Sequence, residues 1–380
     1  MLSHKFLFRC FAALLITGAA LAACKKSSPR AIGTPTITRI AQPLDSSGID
    51  TGSFTQWVII YGTNLSTTQS VTFNDQQVPY NTIYASDSSI TVQIPRAIPQ
   101  KVSNTLTVTT KGGTATYTFT VMIPDLQVGD MLNEWAAAGD TLTLLGQNFD
   151  LYDLDTTATT LLFTGGATAN VVLGTATTLK VIVPANAQPG PVTVKGPAPL
   201  NINQPTVAWF HDNRNFLFDM SNFNGWNGSS YLSSGPTPAP INGPYFKVSK
   251  NWQGGYAWDP FCSNNCAMPA ELVSDPSQYV NYAVKFELYT PATLPAMPLT
   301  LYMCFNSGNF KEYFFDVSGN NTYPFTTGGK WQTFTAPLSK WGNLQGFAFS
   351  DPMIMEFMLK DNNPSVSNFS ICNFRMVRIK

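Results

Sequence analysis

The sequence predicts an all-β chain: two small antiparallel β-sandwiches in tandem, followed by a larger β-sandwich of jelly-roll type. Three observations predict it. Gly and Pro, 27 of each, are spread along the 380 residues and punctuate short runs of β-branched and aromatic residues. Those runs alternate in polarity with the period of two that turns one side chain to a core and the next to water, and no helical period is sustained beyond about two turns. A set of landmarks also recurs within the first half, so one folding unit is used twice.

Taken in order, residues 1–23 read as an export signal: a basic start (His4, Lys5, Arg9), an apolar stretch softened by Gly18, then Leu21-Ala22-Ala23-Cys24. This ending resembles the bacterial lipobox. The resemblance implies that Cys24 becomes the first mature residue and carries a lipid anchor, with 24–33 as a polar tether. Of the remaining thiols, Cys262 and Cys266 sit four apart in a loop-like stretch and form a candidate disulfide in an oxidising compartment. Cys304 and Cys372 lie in apolar runs, as buried small hydrophobes or as a second bridge. A metal site is the weaker reading, because Cys-x3-Cys has neither a neighbouring His nor a second pair.

Residues 34–122 and 123–204 carry the repeat. The first holds Trp57-Val-Ile-Ile-Tyr-Gly62-Thr-Asn64-Leu65, then Phe73, then a strand ending at Pro95; the second holds Leu142-Thr-Leu-Leu-Gly146-Gln-Asn148-Phe149, then Phe163, then a strand ending at Pro184. Equivalent points lie 84 (Gly62 to Gly146), 90 (Phe73 to Phe163) and 89 (Pro95 to Pro184) residues apart. Gly62 and Gly146 are expected to supply a backbone conformation that a Cβ disfavours, and the prolines end strands where no ladder donor is needed. Both copies resemble the immunoglobulin-like IPT/TIG family, which implies Ig-like sandwiches serving as a stalk. Trp57 and Trp135 are expected to pack in cores or between domains.

Residues 205–380 differ in composition, holding six of the eight Trp. Strand-like runs such as Tyr282–Leu288 and Met353–Leu359 alternate with Gly-, Asn-, Pro- and Ser-rich loops, which gives the larger sandwich. The stretch 222–260 sets Trp226, Tyr231, Trp252, Tyr256 and Trp258 among Asn, Gln and Asp. An aromatic ring held out by a loop offers a flat apolar face to the C–H face of a pyranose, while amides and carboxylates meet its hydroxyls. Trp226, Trp252, Tyr256, Trp258, Tyr231 and Trp341 are therefore the candidate ligand-binding residues. Trp331 opens a strand and is expected at the sandwich edge, and Trp209 at the domain junction.

Composition excludes other classes. The chain has 26 Phe, 14 Tyr and 8 Trp against only 22 basic and 22 acidic residues, with no basic run, so no phosphate backbone would be held and nucleic acid is not a partner. Once the signal is removed, His211 is the only imidazole, which argues against His-dependent catalysis or a metal centre. No cofactor motif is present. A glycoside hydrolase needs two carboxylates in one cleft; Asp219, Asp259, Glu271, Glu287, Glu312, Asp316 and Glu356 are available, but in no organised motif, so the chain is read as not an enzyme.

The run Trp209-Phe-His-Asp-Asn-Arg-Asn-Phe-Leu-Phe-Asp219 with Gly225-Trp226, the run Trp331-Gln-Thr-Phe-Thr-Ala-Pro-Leu-Ser339 and the closing Ser370-Ile-Cys-Asn-Phe-Arg375 resemble the C-terminal domain of the surface glycan-binding protein B family. That resemblance implies a non-catalytic outer-membrane lipoprotein exposed on the cell surface. Its tandem Ig-like domains would lift a glycan-binding domain that captures a neutral polysaccharide or oligosaccharide for a TonB-dependent importer complex. The alternatives are an adhesive module docking a partner protein through its aromatic surface, and hydrolysis.

Overall fold

The computed structural model describes residues 32–255, 260–294, 300–306, 310–316, 324–342, 344–359 and 365–380. The export signal, Cys24, Tyr256 and Trp258 lie outside the described residues. Compactness divides the chain at Ile123/Pro124.

The first unit is a sandwich. One sheet runs in the order Asp45–Gly48, Thr36–Gln42, Trp57–Thr63, Ser89–Gln93, Tyr84–Ala85, and the facing sheet in the order Gly113–Thr118, Thr105–Thr110, Thr68–Phe73, Gln76–Gln77. Between them Val58, Ile60, Val71, Phe73, Val92 and Leu106 form the core. The Gly-x-Asn landmark works differently from expectation. A Cβ on Gly62 would stand 1.8 Å from the Thr36 carbonyl oxygen, so glycine is needed for close approach of two strands. The left-handed residue is Asn64, at φ 56°, whose side-chain amide donates to the Thr34 carbonyl at 2.9 Å. Trp57 is also corrected: it opens its strand on the solvent side, 39% exposed, against Tyr84.

The second unit holds the remaining residues. Its first sheet has seven strands in the order Gln127–Met131, Thr141–Gln147, Thr178–Ile182, Thr168–Gly174, Thr160–Thr164, Gln188–Lys195, Asn203–Phe210. The sheet curls until its two edge strands lie beside each other around Leu142, Leu144, Leu161, Phe163 and Val192. The turn chemistry of the first unit recurs: Gly146 clears the Gln127 carbonyl, and Asn148, at φ 64°, donates to the Asp125 carbonyl at 2.8 Å. The strand Asn203–Phe210 crosses the boundary expected at 204, because Phe210 belongs to this core.

The terminal sandwich packs a sheet ordered Leu232–Ser233, Tyr245–Trp252, Ser365–Arg378, Tyr282–Tyr289, Gln332–Pro337 on one ordered Pro260–Cys266, Met353–Leu359, Thr300–Asn306, Lys311–Asp316. The strand Tyr282–Tyr289 is buried along nearly its whole length, as a central strand should be. Phe218, Phe246, Phe286, Phe357 and Phe374 meet edge-to-face or tilted between the sheets.

Four buried charged side chains join this sandwich to the preceding one. Glu134 accepts from Lys285 Nζ at 2.6 Å and from Arg375 Nη2 at 2.5 Å; Arg375 also holds Glu287 at 2.9 and 3.0 Å, and Lys285 reaches Asp130 at 3.0 Å. Thr333 completes the junction: its hydroxyl donates to Glu287, and its backbone N–H donates to the Leu132 carbonyl. Burial pushes the Glu287 carboxyl up to about 7, against the opposing pull of the Arg375 guanidinium. His211 stacks on Trp135 and Phe210 beside this network, and its ring meets the Ala136 carbonyl at 3.0 Å.

Candidate functional site

The site begins at the edge of the four-stranded terminal sheet. In Met353–Leu359 the residues Met353, Met355, Phe357 and Leu359 point into the main core, so Ile354, Glu356 and Met358 take the opposite face of the sheet, where Ile354 is exposed while Glu356 and Met358 are buried. Pairing carries that outer face across the sheet: Ser263 lies opposite Glu356, Glu356 opposite Cys304, and Cys304 opposite Glu312. Ser263 Oγ donates to Glu356 Oε1 at 3.2 Å, and Cys304 Sγ to Oε2 at 3.5 Å.

Trp226 extends this row by one residue. Its backbone N–H donates to the Ser263 carbonyl at 2.8 Å, and Ser263 returns the bond at 3.3 Å. Gly225 permits the approach, since a Cβ there would stand 2.5 Å from the Ser263 carbonyl oxygen. The indole is thus set by backbone pairing beside a polar row while remaining 64% exposed. Phe314, on the same outward parity as Glu312, is the exposed aromatic at the far strand.

The other expected ligand residues separate. Trp252 is 6% exposed: it shares strand parity with Phe246 and Val248 and belongs to the core. Lys250, at the same parity, hid that pattern in the sequence, and its ammonium lies 4.9 Å from the Trp252 ring centroid. Trp341 is wholly buried, stacked on Tyr313 and packed against Phe305. Both rings are packed into the core rather than held out by a loop. Tyr231 is half-buried against the core, while Tyr256 and Trp258 fall outside the described residues.

The proposed disulfide is also corrected. Cys262 and Cys266 both lie in the strand Pro260–Cys266, as free and buried thiols. Four residues along a strand span about 13 Å, twice what a disulfide bridges. Cys304 and Cys372 are likewise free and buried. Burial, reinforced by the Glu356 carboxylate, pushes the Cys304 thiol up, so it is a weak donor to Glu356 and a poor nucleophile. Among the described residues no group of three or more His, Cys, Asp or Glu is placed to hold a metal ion.

Of the candidate carboxylates, Glu287 is committed to Arg375 and Thr333, Glu271 to Arg378 and Tyr282, and Asp219 to the Ser221 backbone N–H. Sequence reasoning passed over Ser263 and Cys304. The signal that could have found them was Glu356, a lone acid in the apolar run Met353–Leu359, which requires buried donors.

Comparisons with known proteins bear on this geometry. Residues 210–378 match the family described as the surface glycan-binding protein B xyloglucan binding domain, and residues 35–121 match the IPT/TIG domain. A crystal structure of surface glycan-binding protein B from Prevotella bryantii superposes with a TM-score of 0.60 at 21% identity, covering 92% of this chain and 99% of that one, and shares the fold. The surface glycan-binding protein B from a complex xyloglucan utilisation locus of Bacteroides uniformis aligns at 18% identity over 91% of this chain and 100% of its own, with a TM-score of 0.42. An IPT/TIG domain-containing protein of Bacteroides ovatus is 26% identical over 144 residues, 36% of this chain; the chain spans only 29% of that relative's length.

Proposed function

Because the chain belongs to the surface glycan-binding protein B family, we propose that it captures a neutral polysaccharide at the cell surface without cleaving it. Its ligand would lie against Trp226, at the edge of the terminal four-stranded sheet. The observation that carries the reading is Trp226, an exposed indole fixed by backbone pairing at the end of the row Ser263, Glu356, Cys304, Glu312. Such a ring stacks on a pyranose, while Ser263, Glu356 and Cys304, buried and bonded to one another, brace the strand that sets the indole. With residues 1–23 removed, 20 basic and 22 acidic residues remain, a formal net charge of −2 that offers little field to gather a charged polymer, which favours a neutral one. Xyloglucan is the first glycan to test, since the matched family is described by that ligand. In this reading Cys24 holds the chain at the outer membrane, the Ig-like domains act as a stalk, and captured glycan passes to a TonB-dependent importer.

Electrophoresis through gels containing xyloglucan, mixed-linkage glucan and other neutral polysaccharides tests the reading. Retardation in at least one, weakened in Trp226→Ala, is expected; free migration in every gel would sink it. Release of reducing ends by rigorously purified protein would replace capture with hydrolysis. For the anchor, Cys24→Ala should move the protein out of the membrane fraction.

A further inference from the structure

A second cleft lies between the seven-stranded sandwich and the terminal one, away from the row at Trp226. Its volume is about 480 Å³, in the range of small-molecule sites. Trp135 and Asp140 stand on one wall, Tyr289, Lys330 and Trp331 on the other, and the segment 236–241 lines the remainder.

The cleft is built in advance. Trp331 Nε1 donates to the Ala239 carbonyl at 3.0 Å, Tyr245 Oη to the Pro238 carbonyl at 2.9 Å, and Lys247 Nζ to the Thr237 carbonyl at 2.9 Å, so three successive carbonyls of the proline-rich segment are engaged. Trp331 is further fixed by Tyr245 and Tyr289, with ring centroids 5.5 and 5.6 Å away. The buried Glu134, Lys285, Arg375 and Glu287 network holds the two walls together. Binding here would therefore require little ordering of the protein. Asp140 and Lys330, both exposed, contribute one charge of each sign. They can accept from and donate to hydroxyls, but together they do not attract a polyanion.

We infer that this interdomain cleft is a second binding site for a neutral glycan, holding a short run of pyranose units between Trp331 and the Asp140 wall. The inference rests on the glycan-capture reading above. Trp331 immediately precedes the edge strand Gln332–Pro337 of the five-stranded sheet, whereas Trp226 borders the four-stranded one, so the two sites lie on different sheets and take separate segments of polymer.

Titration calorimetry of the full chain with xyloglucan oligosaccharides and with polymeric xyloglucan tests it. Ala137, exposed on the cleft wall, is replaced in Ala137→Arg to fill the space without touching the core. Asp140→Ala removes an acceptor with less steric change. The wild type should bind two oligosaccharides per chain and Ala137→Arg one, with polymer affinity falling at least about tenfold as bivalency is lost. Asp140→Ala should weaken one of the two sites about tenfold. One oligosaccharide per wild-type chain, with Ala137→Arg and Asp140→Ala unchanged, would overturn the second site while leaving capture at Trp226 intact. Failure of the wild type to bind any glycan would instead overturn the capture reading.

Discussion

Replacing Glu134 by Gln should weaken the second unit more than any surface change. Glu134 is fully buried and is the acid shared by two buried cations, Lys285 and Arg375. The substitution keeps the shape and removes the charge. Arg375 retains both of its bonds to Glu287, so its loss is partial; Lys285 is left with Asp130, whose side chain is 47% exposed and screened by water. Breaking a buried pair by removing one partner costs about 3–5 kcal/mol. For a unit of this size that lowers the unfolding midpoint by roughly 6–20 °C. Calorimetry of wild type, Glu134→Gln, Lys285→Met and the double variant reads both the cost and the coupling. The double variant should be less destabilised than the sum of the two singles, because the second change removes a charge already stranded. A Glu134→Gln midpoint within about 2 °C of wild type, or strict additivity, would refute the account of the junction.

Three further outcomes follow from the geometry. Trp226→Ala should cut glycan affinity about tenfold at unchanged thermal stability, whereas Trp252→Ala and Trp341→Ala should each cost about 3–5 kcal/mol, measured by urea unfolding, because they empty core volume. Burial lowers the His211 pKa, so its contribution to stability is present above the unfolded value of 6.5 and is lost as pH falls through the lower folded value. Glu287, raised by burial to about 7, acts in the opposite sense: its contribution is full below the unfolded value of 4.5 and is lost as pH rises through 7. Stability against pH for His211→Gln and Glu287→Gln, each differenced from wild type, should show these two slopes with opposite sign. Finally, native protein should resist thiol alkylation at Cys262, Cys266, Cys304 and Cys372, and a reductant should leave the unfolding midpoint unmoved.

The all-β class and the repeat were legible because both are local. Strand alternation and the Gly-x-Asn turn are written within a few residues, and the turn reappears with the same donor and acceptor chemistry at Asn64 and Asn148. Among the described residues the candidate site was legible at Trp226, whose Gly and Asn neighbours marked it as a loop. Trp252 and Trp341 were misread because burial depends on partners distant in sequence: Phe246 and Val248 share a strand face with Trp252, and Trp341 packs on Phe305 and Tyr313. Glu134 and Arg375, 241 positions apart, offer no local sign that they touch.

That last contact decides where the chain can be cut. A fragment starting at 205 would preserve every strand of the terminal sandwich, yet it would present Arg375 and Lys285 to solvent along a face evolved to meet Glu134 and Asp130, and Thr333 would lose its backbone acceptor at Leu132. It would also discard the Trp135 and Asp140 wall of the interdomain cleft. The smallest portable piece therefore begins at Pro124, and a glycan array printed with anything shorter would sample an altered surface.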